Sequence, residues 1–185
     1  DLDLPYGQYD YEYMLLDGTR IPDPLSRRLE NNRTRIEIGS GGISTADDYQ
    51  WLSGDYIRPD LDTLIIYEMH IDDYAAVGDG QGRFDHIINK LDYIKSIGIN
   101  AIELLPVTDF PGMHSWGYDP HLLSAVESNY GTPEDFKMLI DQAHLRGIAV
   151  IIDIVWNHIR SSSPISHTQP NYILNPYIKL HNELN

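Results

Sequence analysis

Apolar and polar positions are patterned differently in two parts of the chain. Up to about residue 60 the apolar runs are short, Tyr9 to Leu16 and Arg33 to Ile38. They are broken at Asp17-Gly18, Ile21-Pro22-Asp23-Pro24 and Ser40-Gly41-Gly42, punctuation that predicts a few β-strands joined by turns. So few strands are marginal alone and need a further layer. Residues 1–58 therefore read as the end of a β-sandwich plus a linker, the linker running over Gly39 to Asp48 and Arg58-Pro59-Asp60.

In residues 59–185 the period changes. Leu64 to His70 is nearly continuously apolar, which predicts a central parallel strand covered on both faces. Phe84, Ile87, Ile88, Leu91, Ile94 and Ile97 recur at helical spacing, with Gly98 where a left-handed terminus is wanted. Asn100 to Val107 predicts a second strand, and Thr108 to Gly131 a long loop. Thr132-Pro133-Glu134-Asp135 supplies an N-cap, a proline at the first helical position and acids beside the positive end of the dipole. Phe136, Leu139, Ile140 and Ala143 form that helix's apolar face, Gly147 ends it, and Ile148 to Val155 predicts the third buried strand. A βαβαβ order fits either a doubly wound sheet or a (β/α)8 TIM barrel. No Gly-rich phosphate fingerprint follows a strand, which favours the first three βα units of a barrel. The tail from Ser161 to Asn185, with Pro164, Pro170 and Pro176, reads as an irregular excursion without a fourth strand.

Composition narrows the chemistry. Lys and Arg number 13 against 28 Asp and Glu, a formal charge of -15 that repels nucleic acid and anionic lipid. With no Cys, disulfides, thiolate metal sites and cysteine nucleophiles are excluded together. The most apolar stretch, Ile148 to Trp156, contains Asp153 and falls far short of the roughly 20 residues that span a bilayer. The chain opens on Asp1 with no signal-like segment, so a start within a longer protein or after processing is expected, and a cytoplasmic setting is favoured.

Ligands of parallel βα folds meet the carboxyl ends of the strands. Here those ends carry His70 and Asp72-Asp73, then Asp109 to Tyr118, then Asp153, Asn157 and His158. Acceptors and rings without phosphate-grasping cations suit a neutral polyhydroxylated ligand, a sugar. Each residue alone has a plainer reading. Asp153, inside a predicted buried strand, needs a partner and fits a structural ion pair. His158 fits a turn cap as well as a sugar hydroxyl, and Trp116-Gly117-Tyr118 fits simple packing of the loop. The eight His show no metal-ligand spacing.

Asp153-Ile154-Val155-Trp156-Asn157-His158 resembles the D-x-V-x-N-H first signature of the α-amylase superfamily, glycoside hydrolase family 13. Tyr67-Glu68-Met69-His70, Ala101 to Val107, Phe110-Pro111-Gly112, Trp116 to Pro120 and Tyr130 to Asp135 resemble that family in the right order, over about residues 63 to 160. The wording stands nearest its glycogen-branching and maltooligosyltrehalose trehalohydrolase members. The resemblance implies a retaining enzyme acting on α-glucan or maltooligosaccharide. It implies that Tyr118 stacks under a sugar, that His158 bonds its hydroxyls, that Trp116 joins them, and that Asp153 orients neighbouring groups. Asn157 matches a calcium ligand of many α-amylases, although branching-type members generally lack that ion; no other cofactor is implied.

Retaining hydrolysis needs two carboxyl groups about 5 to 5.5 Å apart. By the resemblance both come from later strands, so this chain contributes no catalytic residue; its tail offers only Glu183. The chain is expected to be a fragment, inactive and poorly soluble by itself. Two other readings remain: a non-catalytic carbohydrate-binding or regulatory protein with a degenerate half barrel, and an unrelated barrel or doubly wound enzyme for phosphorylated substrates.

Overall fold

The structure, a computed structural model, describes residues 4–40, 42–43, 49–76 and 80–168. In the amino-terminal part, β1 (Gly7–Tyr11) pairs antiparallel with β5 (Arg33–Gly39), with Tyr9 opposite Ile36. β4 (Leu29–Glu30) and β6 (Gly42–Ile43) also pair with β5, while β2 (Tyr13–Met14) and β3 (Arg20–Ile21) form a separate hairpin. Glu30 faces Arg33, so Asn31 and Asn32 alone make the β4–β5 turn, at φ 51° and 61°. Both lie in the left-handed region that two-residue hairpins require and that Asn tolerates. Arg35 clamps β5 to β1 with two bonds to Asp10, 2.7 and 2.9 Å. The predicted strands are present, but a second layer of a sandwich is not established. The Gly39 to Asp48 linker lies largely outside the described residues.

The second part is built on a parallel sheet. β7 (Ile66–Met69), β8 (Ala101–Leu104) and β11 (Ala149–Ile152) lie in the order β11-β8-β7, with Glu68, Glu103 and Ile151 side by side. β8 is the central strand; β7, predicted to be central, is an edge among the described residues. Ile65, Ile66 and Tyr67 are consequently exposed rather than covered. α1 (Ile71–Ala75), α2 (Phe84–Ile88), α3 (Leu91–Ser96) and α4 (Pro133–Leu145) supply the opposing layer. Phe84, Ile87, Leu91, Ile94, Leu139 and Ile148 close the core against Met69, Ile102 and Leu104.

Three further differences from the sequence reading have local causes. The helix expected from Phe84 to Ile97 is broken into α2 and α3, because Lys90 N–H donates to Ile87, tightening one turn, while its ammonium bonds the Tyr74 carbonyl. The loop from Thr108 to Gly131 contains β9 (Thr108–Asp109) antiparallel to β10 (Leu122–Val126). The third strand stops at Ile152, leaving Asp153 just past its carboxyl end and only half-buried. The start of α4 is as predicted, a reciprocal box in which the Thr132 hydroxyl accepts from Asp135 N–H and the Asp135 carboxylate accepts from Thr132 N–H.

The two parts are joined. Leu29 packs with Leu122 and Ala125, Arg28 bridges to Val126, and the Ser124 hydroxyl donates to the Ser26 carbonyl. Buried Asp141 on α4 accepts from Leu52 N–H, Ser53 N–H and the Tyr49 hydroxyl, and Tyr56 stacks on His144 at 3.9 Å. α5 (Pro164–Thr168) starts the tail; Thr168 is the last described residue, so the reading of the remaining tail lies outside the described residues.

Candidate active site

The loops after β8 and β11 meet above the carboxyl end of the sheet, and their contacts run in order along both segments. The Tyr118 hydroxyl donates to the Asp153 carboxylate, 2.5 Å. His158 Nε2 lies 2.7 Å from the Tyr118 carbonyl, so that nitrogen donates. Arg160 N–H donates to the Pro120 carbonyl, and its guanidinium binds the Asp119 carboxylate at 2.8–2.9 Å. His121 Nε2 reaches the Ser162 carbonyl at 3.0 Å. Residues 118–121 and 153–162 are thus zipped together.

Local chemistry places the aromatic segment. Gly117 has φ +82°, and a Cβ there would stand 2.7 Å from the Pro106 carbonyl oxygen at the end of the second parallel strand, so only glycine allows the approach. The Ser115 hydroxyl donates to Asp119 and accepts from Gly117 N–H, closing the turn. His70, at the end of β7, contacts the Ser115 carbonyl and the Tyr130 hydroxyl through Nε2. It thereby supports the loop.

Electrostatics follow from this packing. The bond to Asp153, burial, and the charges of Asp153, Glu68 and Glu103 push the Tyr118 phenol up to about 12. Burial opposes the Asp119 charge, but the Ser115 hydroxyl and the Arg160 guanidinium outweigh it and hold that carboxyl below the usual range. Tyr118 is 40% exposed and Trp116 63%, leaving both rings open to solvent at the mouth.

Tyr118, Asp153 and His158 are therefore brought together, and Trp116 precedes the same turn. Asp153 lies just past the strand rather than buried inside it, and its carboxylate accepts from the Tyr118 phenol. His158 is exposed, with Nδ1 available while Nε2 positions the Tyr118 backbone. Asn157 is exposed, and among the described residues no three His, Asp or Glu side chains gather to hold a metal. Sequence reasoning missed the buried group Asp109, His121 and Glu127 beneath the loop; the only available signal was polar residues abutting the apolar Leu122-Leu123 pair.

Three parallel strands backed by helices, with acids and open rings beyond their carboxyl ends, fit the first part of a (β/α)8 barrel. The chain belongs to the α-amylase family: the family model "Alpha amylase, catalytic domain" matches residues 66–171, more than half of its length. It is 39% identical over 150 residues to a malto-oligosyltrehalose trehalohydrolase of Saccharolobus solfataricus, covering 80% of this chain and 25% of that protein. A 1,4-alpha-glucan branching enzyme of Paramagnetospirillum magneticum is 34% identical over 159 residues, 81% of this chain and 22% of that one. Among solved structures, a Salmonella typhimurium protein described provisionally as an alpha amylase superposes with TM-score 0.76 at 34% identity, over 88% of this chain and 27% of its own. The chain spans about a quarter of the length of the curated relatives it matches. Among the described residues no helix is long and apolar enough to cross a membrane.

Proposed function

We propose that these residues form the sugar-holding side of an enzyme that breaks or transfers α-1,4 or α-1,6 bonds of an α-glucan with retention. The observation that carries this reading is the convergence of Tyr118, Asp153 and His158 at the strand ends. A ring whose hydroxyl meets a carboxylate and whose backbone carbonyl meets an imidazole offers a stacking face with hydroxyl partners nearby, the two things a pyranose needs. Relatives named for malto-oligosyltrehalose and 1,4-alpha-glucan support the substrate class.

The roles follow from position. Tyr118 supplies the stacking face, Trp116 a second exposed ring, and His158 Nδ1 a partner for sugar hydroxyls. Asp153 fixes Tyr118 through the phenol, on which the charges of Glu68 and Glu103 also act. The attacking and protonating carboxyls belong to later strands, and the amino-terminal strands are the end of a preceding β-sandwich. The 185 residues alone bind or present sugar without turning it over.

The test uses the protein that joins these residues to the rest of the barrel. It is incubated with maltooligosaccharides and glycogen, and the products are separated by chain length and linkage. New or shortened glucans, with His158→Ala losing most of the rate at an unchanged melting temperature, are expected. Absence of both turnover and glucan binding overturns the reading; binding without turnover replaces it with a carbohydrate-binding protein.

A further inference from the structure

Beneath the sugar-facing loops lies a buried polar group that the preceding roles do not use. Asp109 and His121 are each 7% exposed and Glu127 is 1% exposed. They border a cavity of about 580 Å³ between the barrel loops and the Asn31-Asn32 turn of the amino-terminal sheet. His121 is held twice to Asp109, by its backbone N–H to the Asp109 carbonyl at 2.8 Å and by Nδ1 to the carboxylate at 2.9 Å. Its Nε2 meets the Ser162 carbonyl at 3.0 Å.

A carboxylate and a carbonyl oxygen both only accept. Both bonds are therefore made together when both ring nitrogens carry hydrogen, as in an imidazolium paired with Asp109. The bridge is the buried end of the zipper described above, three residues from Tyr118 and four from His158. The neighbouring Asp119–Arg160 pair is half-open to water and correspondingly weak. Other charged groups around the ring are Glu127, just past β10, whose acidity the Asp109 charge affects, and Glu30 on β4, which lines the same cavity.

We propose that His121, bridging Asp109 to the Ser162 carbonyl, is the positioning residue that keeps the Tyr118 and His158 loops in register for sugar binding. This rests on the functional reading above for its consequence, but not for its geometry. Removing the ring removes both contacts at once and leaves the Asp109 carboxylate and the Ser162 carbonyl without that bridge.

The experiment has two arms, both on the protein that includes the rest of the barrel. In the first, KM and kcat for a maltooligosaccharide are measured for wild type and variant under one set of conditions. His121→Ala is expected to raise KM about tenfold with a smaller change in kcat, the size of one or two lost hydrogen bonds. A KM within about twofold of wild type in His121→Ala overturns the proposal. Where His121→Ala does not fold, Asp109→Ala, which removes the partner of Nδ1, is held to the same threshold.

The second arm, amide hydrogen exchange, needs no substrate. Arg160 N–H, bonded to the Pro120 carbonyl, and His121 N–H, bonded to the Asp109 carbonyl, are expected to be protected in the wild type. His121→Ala should open both at least about tenfold faster, and unchanged exchange refutes the clamp. A wild type without action on any glucan, but with this exchange difference, sinks the functional reading and leaves the clamp standing.

Discussion

The Tyr118 hydroxyl donates to Asp153 from the opposite loop, 35 positions away in sequence, while its backbone carbonyl takes a bond from His158. One residue thus bonds both the Asp and the His of the first signature. Tyr118→Phe keeps the ring and deletes only the donor. In the full barrel kcat/KM should fall roughly ten- to a hundredfold, the weight of a hydrogen bond to a charged acceptor, with the melting point shifted by under about 2 °C because the residue is half-open to water. Kinetics and thermal unfolding on the same preparation check both halves. The phenol, pushed up to about 12, stays a donor through the ordinary alkaline range, so the variant's deficit should not depend on pH there.

Asp141 makes a different kind of prediction, about how the connecting segment is held. Burial disfavours its charge, but the donors from Ser53, Leu52 and Tyr49 outweigh that and hold the carboxyl below its ordinary value of 3.8. Its contribution is therefore complete above that value and disappears as pH falls through the lowered one. Asp141→Ala leaves two backbone N–H groups and a phenol without their acceptor, and should cost about 2–4 kcal/mol in urea unfolding at neutral pH. A loss under about 0.5 kcal/mol would mean the segment is held by the Tyr56–His144 stack instead.

What the sequence could disclose followed from periodicity and local caps. The three parallel strands and the helix start at Thr132 were legible because each depends on neighbours within a few residues, whereas the grouping of Tyr118 with Asp153 and His158, 35 and 40 positions away, was implied only by the ordered family resemblance. β9 and β10 were not, since two and five residues paired across a long excursion leave no period to read. His121 was invisible for the same reason: its partners, Asp109 and Ser162, are 12 and 41 positions away. The edge position of β7 escaped because an apolar run reports how a strand is covered in the finished barrel, not which strands stand beside it here.

That edge leads to a solubility prediction. Ile65, Ile66, Ile152, Ile154 and Trp156 are all exposed along or just beyond β7 and β11, whose outer hydrogen-bonding groups lack a neighbouring strand among the described residues. Open edges and apolar patches promote association. The 185 residues expressed alone should aggregate or bind the dye ANS with a broad thermal transition. A monodisperse monomer with a sharp cooperative melt would contradict this.

Glu127 gives the last prediction, and its sign is opposite to that of Asp141. Burial pushes its carboxyl from 4.5 up to about 7, with the Asp109 charge adding to the rise, despite bonds from Asn129 and Phe110 N–H. A carboxyl raised in the folded state binds a proton there that the unfolded chain has already released. Its neutral form is accommodated fully below about 4.5, and the stability is lost as pH rises through about 7, up to about 3 kcal/mol in all. Glu127→Gln keeps the volume but cannot ionise, and one orientation still lets its oxygen accept from Asn129. Its amide nitrogen then faces Phe110 N–H, so the variant should be the less stable protein at about pH 5, where the wild-type group is protonated. Between about pH 5 and pH 8 the wild type alone acquires a buried charge, so the gap in melting temperature should narrow by several degrees or reverse. Melting curves of the two proteins across that range decide the matter: parallel pH profiles would show that Glu127 keeps an ordinary acidity within its buried setting.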